Sequence, residues 1–170
     1  MTTFTSTVPF QATDEKRFRE VMGYFASGVV AVTGMDAEGG PLGLTVTSFT
    51  SVSLAPPLVS FCVAHTSRTW PRLRASRGIC INILSEDQQD LSTRLARSGE
   101  RKFSGLGWSE SPNRLPVLDA ALAWLEGTVA TEHPAGDHDI IVIRVDRMAT
   151  GERCGPLLSY RGAYGRLADR

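Results

Sequence analysis

Between Val29 and Ala64 the chain strings together β-branched apolar runs whose separations are only turn-sized. "VVAVTGM" (29–35) is followed by the turn residues "DAEGG", then by an extended-looking stretch to Pro56-Pro57, then by "LVSFCVA". Such runs favour strands, and gaps this short hold hairpins rather than the crossover helices that parallel strands need. A hairpin between strands near 29–35 and 42–53 is predicted, with the double proline breaking the chain before a third strand. Downstream, "GICINIL" reads as another strand. Two long strands follow at about 121–132 and 138–148, separated by "HPAGD", and "GPLLSYRGAYGRL" supplies one or two short strands at the end.

Helical signals are fewer. Phe18, Val21, Met22 and Phe25 fall at i, i+3, i+4 and i+7 behind Asp14 and Glu15, so 14–26 reads as an amphipathic helix ended by Gly28. "TSRTWPRLRAS" reads as a short helix with Pro71 in its first turn. Ser85 and Gln88 have capping-box spacing, which predicts a helix over about 86–97. From "SGERKFSG" to "PNRLP" the chain is expected to be largely loop. Strands outnumber helices and follow one another by turns, so the expected fold is mainly β: an antiparallel barrel with a few peripheral helices, not a doubly wound parallel sheet.

Inside the stretch "GLTVTSFTSVSLAPPLVSF" (43–61), residues alternate. Leu44, Val46, Ser48, Thr50, Val52 and Leu54 would face one side of a strand, and Thr45, Thr47, Phe49, Ser51 and Ser53 the other. A row of hydroxyls is ordinary on the solvated face of an antiparallel sheet, and it also suits a face that offers hydrogen bonds to a flat polar ligand. Both readings stay open on the pattern alone.

At 170 residues the chain is most simply one domain, taken as 13–170 behind a flexible arm at 1–12, and long enough to bury a core without disulfides. Lys plus Arg equals Asp plus Glu, so there is no net basic field for nucleic acid or an acidic membrane surface. No apolar run approaches membrane-spanning length, and the N-terminus lacks a secretory signal pattern. Cys62, Cys80 and Cys154 form no CxxC, and the first two lie in apolar runs, which fits buried free thiols in a reducing cytoplasm. Function must therefore come from a site.

Three groups are candidates. Ser67 and Thr69 of "HTSRTW" sit at an expected helix start, a place for simple capping or for a phosphate. Lys102, one of only two lysines, lies in a Gly/Ser loop and could oppose such a charge. Asp137 and His138 of "PAGDHDI" adjoin at the mouth of a strand, where an imidazole can carry or share a proton near neutral pH. No HExxH, GxGxxG after a strand, GxxxxGK[ST] or GxSxG is present, so zinc chemistry, the usual nucleotide motifs and a nucleophile elbow are unsupported.

Taken in order, "FRxVMGxFASGVVAVT", "GLTVTSFTSVSLAPPLVSF", "NIL", "RKF", "AGDH" and "PLLSYRGAY" closely resemble the short-chain flavin reductase family, whose fold is the antiparallel Greek-key FMN-binding split barrel. The likeness runs from about Phe18 to Leu167. It implies a homodimer that reduces FMN or FAD with NADH or NADPH and feeds a partner flavin-dependent monooxygenase. Carried over by position, Thr45, Ser48, Phe49, Ser51 and Val52 would hold the isoalloxazine and ribityl chain. Ser67, Thr69 and Lys102 would take the flavin phosphate, and His138 with Tyr164 would border the nicotinamide. One departure is Leu95-Ala96, where the family often has Phe-Ala; Asn82 of "NIL" matches, with a packing role and a ligand contact equally open. Alternatives within the same fold are a flavoenzyme that keeps its flavin and acts on another substrate, and a flavin- or haem-binding protein that catalyses nothing.

Overall fold

The computed structural model describes residues 14–97, 99, 102–151 and 154–168, so the expected arm at 1–12 lies outside the described residues. Its strands are β1 (Ser27–Gly28), β2 (Val30–Met35), β3 (Pro41–Val46), β4 (Thr50–Leu54), β5 (Pro57–Ala64), β6 (Ile79–Ile83), β7 (Trp108–Glu110), β8 (Pro116–Leu118), β9 (Ala123–Ala135), β10 (His138–Thr150), β11 (Leu158–Tyr160) and β12 (Ala163–Gly165). Helices are α1 (Glu15–Met22), α2 (Trp70–Arg74) and α3 (Gln89–Ala96), the last preceded by a 3-10 turn at Glu86–Gln88.

Seven strands form one sheet in the order β3-β2-β6-β9-β10-β5-β4, and every neighbouring pair is antiparallel. Period-two alternation turns Val30 and Val32, Leu42 and Leu44, Val59, Phe61 and Val63, Ile79 and Ile81, and Ile141 and Ile143 toward one interior. Because β3 at one end of the sheet and β5 near the other share that interior, the sheet is rolled into a barrel. Trp70 and Leu73 of α2 pack into the same core, with Trp70 edge-to-face on Phe61 at 5.6 Å. The expected antiparallel split barrel with peripheral helices is the observed fold.

A second core covers the outside of β2 and β6: Val29, Ala31 and Leu84 meet Leu95 of α3, Leu118 of β8 and Leu157. Polar groups trapped between these layers are paired. Asn82 accepts from the Leu118 N–H at 2.8 Å and donates to Thr33 Oγ1 at 3.0 Å, so it serves packing between layers. Burial pushes the Cys80 thiol beside it up to about 12. Glu126 of β9, with no solvent exposure, accepts from Ser111, from Asn113 Nδ2 at 2.9 Å and from Arg147 Nη1 at 3.3 Å. It ties the long 103–118 segment to the barrel.

Three expectations need correction. The strand predicted over 42–53 is two strands, β3 and β4, interrupted at 47–49. A bulge between Ser51 and Ser53 further shifts the register, so Val52 and Leu54 stand in solvent at 53% and 94% exposure and the continuous hydroxyl face does not exist. The first helix stops at Met22, capped by Gly23, and its apolar stripe of Phe18, Val21 and Met22 faces solvent, continued by Phe25. In the long hairpin, His133, Pro134 and Ala135 belong to β9, and only Gly136 and Asp137 make the turn.

Removing the Glu126 carboxylate leaves the buried Ser111 hydroxyl without its acceptor and unties the more exposed Asn113 and Arg147 from the barrel. Glu126→Ala is expected to lower unfolding free energy by about 3 kcal/mol, and Glu126→Gln by less, in urea titrations. Equal midpoints for wild type and Glu126→Ala would mean the 103–118 segment is held by its apolar contacts alone.

Candidate functional site

The barrel's two edge strands, β3 and β4, are consecutive in the chain, and the ladder is open where β3 passes β5. At that opening lies a cleft of two lobes that share Thr45, Val46 and Cys62. The first lobe, about 360 Å³, is walled by Thr45, Thr47, Ser48, Ser92, Ser159 and Tyr164, with Val29, Gly162 and Ala163. The second, about 320 Å³, is bounded by Leu44, Val63, Ala64, Thr66, Ser67, Arg68, Thr69, Leu95, Ala96, Arg97 and Lys102.

Each wall has a local cause. Ser48 accepts the Cys62 N–H at 2.8 Å and returns its own hydroxyl to the Cys62 carbonyl at 3.4 Å, so one side chain replaces a missing rung of the ladder. Thr45 Oγ1 donates to the Ser92 carbonyl at 3.3 Å, and the Ser92 hydroxyl, fully buried, meets the Tyr164 hydroxyl at 2.8 Å. These contacts link barrel, α3 and the β11–β12 hairpin around the first lobe. Ser60, Cys62 and Ala64 alternate with the inward Val59, Phe61 and Val63, so Cys62 points out of the barrel into the cleft rather than into the core expected for it.

The second lobe is cationic. Lys102 Nζ donates to the Gly43 carbonyl at 3.3 Å, the Leu95 carbonyl at 3.0 Å and Thr69 Oγ1 at 3.0 Å. Desolvation pulls its ammonium below the usual lysine range. Arg68 and Arg97 stand on the same lobe, and no Asp or Glu is among the described residues lining either lobe. Ser67 is occupied as a cap, its hydroxyl accepting the Trp70 N–H at 3.2 Å. With α2 only five residues long, the positive character here comes from the side chains rather than from a helix end.

Of the residues expected at the site, Thr45, Ser48, Ser67, Thr69, Lys102 and Tyr164 line the cleft. Phe49 instead packs against the barrel core, and Ser51 and Val52 lie on exposed β4, outside both lobes. His138 lines neither lobe. It stands opposite Ala64 across the β5–β10 ladder, hence on the cleft's face one strand further out. Its Nδ1 lies 2.7 Å from Asp137 Oδ1, and this contact is the chief cause that holds the Asp137 carboxyl below its ordinary range. An ionised carboxylate only accepts, so Nδ1 carries the proton and Nε2 is the nitrogen left for another partner. Sequence reasoning missed Arg68 and Arg97, because single arginines in an arginine-rich chain carry no spacing signal, and missed Ser92 and Ser159.

The first lobe thus offers neutral hydrogen-bonding side chains and the second cations, both opening on one trough. Comparisons with known proteins identify the family. The chain is 39% identical over 168 residues to a flavin reductase of Pseudomonas putida, covering 99% of each. It is 40% identical over 157 residues to the reductase subunit HsaB of a flavin-dependent monooxygenase from Rhodococcus jostii, covering 92% of this chain and 80% of that one. Among solved structures, nitrilotriacetate monooxygenase component B from Mycobacterium thermoresistibile superposes with a TM-score of 0.87 at 38% identity, over 91% of this chain and 87% of the other. The model of the flavin reductase like domain matches residues 22–168, nearly everything from the end of α1 to the C-terminal hairpin, and the chain belongs to that family.

Proposed function

We propose that this NAD(P)H-dependent flavin reductase binds FMN or FAD along the two-lobed cleft, with the ring system in the hydroxyl-lined lobe and the phosphate in the cationic one. When bound, flavin supplies the redox chemistry, accepting hydride at N5 from C4 of NADH or NADPH. The observation that carries the reading is the pairing of a neutral polar lobe with a lobe that gathers Arg68, Arg97 and Lys102 without a carboxylate. The chain's own work is binding and orientation. Thr45, Thr47 and Ser159 offer donors and acceptors to ring edges. Lys102, held by three protein oxygens, contributes charge and can exchange its Thr69 hydroxyl partner for a phosphate oxygen, and Arg68 and Arg97 stand beside it on the same lobe.

The nicotinamide is assigned to the outer side of the trough, where His138 presents Nε2 and Tyr164 approaches from the opposite wall. The electron balance needs no general acid, because hydride carries both electrons and N1 of the reduced ring can remain anionic. His138 is therefore a binding group. Reduced flavin leaves for a monooxygenase partner, the role named for the Rhodococcus relative.

A homodimer completes the picture. α1 buries none of its residues, and Phe18, Val21, Met22 and Phe25 leave an apolar stripe in water; a second copy covering it would remove that surface. Sedimentation of wild type is expected to give a dimer, and Phe25→Glu is expected to shift it toward monomer with loss of turnover at low protein concentration. A fully active wild-type monomer would overturn this.

Two substitutions separate the ligand roles, using purified protein, free flavin and oxidation followed at the nicotinamide band. Lys102→Ala is expected to weaken flavin binding by about ten- to a hundredfold, the value of one charge-assisted contact, and to cost about 1–2 kcal/mol of stability as three acceptors lose their donor. An unchanged flavin titration would remove Lys102 from the phosphate site. His138→Ala is expected to raise KM for NAD(P)H several-fold while kcat falls far less than the 10²–10⁴ typical of a lost general acid. A weakened flavin constant beside an unchanged nicotinamide KM would place His138 against the flavin instead.

A further inference from the structure

The β11–β12 hairpin turns through two residues, Arg161 and Gly162, both left-handed at φ 51° and 77°. Two left-handed residues match the twist of a tight hairpin, but the first position favours Asn, Asp or Gly, whose side chains tolerate it. Arginine there is conformationally unfavourable, so something outside the turn must hold it. Its backbone N–H donates to the Gly23 carbonyl at 2.8 Å, at the end of α1. Its guanidinium carbon lies 4.9 Å from the centroid of the Tyr24 ring, within cation–π range. Tyr160, the residue before it, meets the same Tyr24 ring edge-on at 6.5 Å. A Cβ on Gly23 would stand 3.4 Å from the Arg161 Cα, ordinary packing distance, so the tip rests directly on the end of α1.

The other side of this hairpin is the wall of the first lobe: Ser159, Gly162, Ala163 and Tyr164 all line it. Deeper in, the wall has the Tyr164–Ser92 hydrogen bond; at its tip, contacts run to Gly23 and Tyr24. We infer that Arg161 is a positioning residue for flavin reduction, clasping the hairpin to Tyr24 so that Ser159 and Tyr164 keep the first lobe at the width a flavin ring needs. Arg161 touches no reacting atom and acts through the wall. This rests on the reading that the first lobe holds the flavin ring.

Arg161→Gly tests it, because glycine keeps the left-handed turn without strain while removing the clasp. The expected result is a rise in flavin Kd and flavin KM of about two- to fivefold, the value of an exposed cation–π pair. Saturating kcat and the thermal midpoint should stay close to wild type. Arg161→Lys, which restores a cation over the ring, is expected to recover much of the affinity. Tyr24→Leu, which also removes the Tyr160 ring contact, should lose at least as much, and the double variant should be no worse than Tyr24→Leu alone, since the Arg161 side chain acts through that ring. Thr47→Trp, filling the lobe from the opposite wall, is the control for the site itself. If Thr47→Trp abolishes flavin binding while Arg161→Gly leaves Kd unchanged, the clasp is overturned and the site stands. If Thr47→Trp binds flavin normally, the site assignment fails first. A fall in thermal midpoint and kcat together, without a selective flavin effect or rescue by lysine, would make Arg161 a structural residue only and overturn the inference.

Discussion

Backbone pairing is interrupted at one place in the barrel, between β3 and β5, and the cleft exists because of that interruption. An antiparallel sheet that rolls up must either close its edges or satisfy them otherwise, since each open N–H and carbonyl in a half-buried setting is costly. Here β3 ends at Val46 and β4 resumes pairing on β5 only at Thr50, leaving the Cys62–Ala64 end of β5 without that neighbour. Ser48 meets both the N–H and the carbonyl of Cys62, which stabilises the gap while keeping it open. A strand laid there would have filled the trough; a hydroxymethyl group satisfies the backbone and leaves space. The small outward residues of β5, Ser60, Cys62 and Ala64, keep the floor shallow enough for a ring system to lie across it.

Charge then gives the trough a direction. Hydroxyls of Thr45, Thr47, Ser48, Ser92, Ser159 and Tyr164 leave the first lobe neutral, whereas Lys102, Arg68 and Arg97 make the second positive. A ligand with a neutral ring and an anionic tail is accordingly oriented before any specific contact forms. Lys102 is anchored by carbonyls from β3 and α3 and by the Thr69 hydroxyl, so its position is fixed by the scaffold and little ordering remains to be done on binding. A reaction that moves a hydride between two stacked rings asks the protein for this kind of preorganisation and for no nucleophile.

The barrel was legible in the sequence because its strands are β-branched and alternate, and because turns rather than helices join them. The split was not. Thr47-Ser48-Phe49 has the same strand propensity as its flanks, and only long-range pairing decides that the ladder stops there. Val52 and Leu54 mislead for the same reason: alternation assigns a face without saying whether that face is covered. The alternation of Ser60, Cys62 and Ala64 with Val59, Phe61 and Val63 did carry the signal that Cys62 leaves the core, yet the apolar run hid it. Glu126 shares β9 with Glu132, and nothing in their spacing tells that the first is sealed under the 103–118 segment while the second pairs with Arg74 at the surface. Thr45, Ser48 and Tyr164 came from motif resemblance, and Ser67, Thr69 and Lys102 from residue pattern and resemblance together; Ser92, Ser159, Arg68, Arg97 and Arg161 required coordinates, because a side chain's role there depends on what stands across from it.

The walls of the first lobe come from three layers of different firmness. β3 and β5 are held by the barrel core, and Ser92 is fixed within α3 by the second core. The β11–β12 hairpin is held by short pairings to β1 and within itself, by Tyr164 against Ser92 and the margin of the second core, and by its seat on Gly23 and Tyr24. That seat stands at the end of α1, a helix whose apolar stripe has no partner among the described residues of its own chain. Any body that covers the stripe stiffens α1, and α1 in turn stiffens the least secured wall of the site. With the proposed second copy over that stripe and flavin in the first lobe, assembly and flavin affinity would be coupled through the one hairpin where the chain tolerates an arginine in a left-handed turn in order to reach a tyrosine ring.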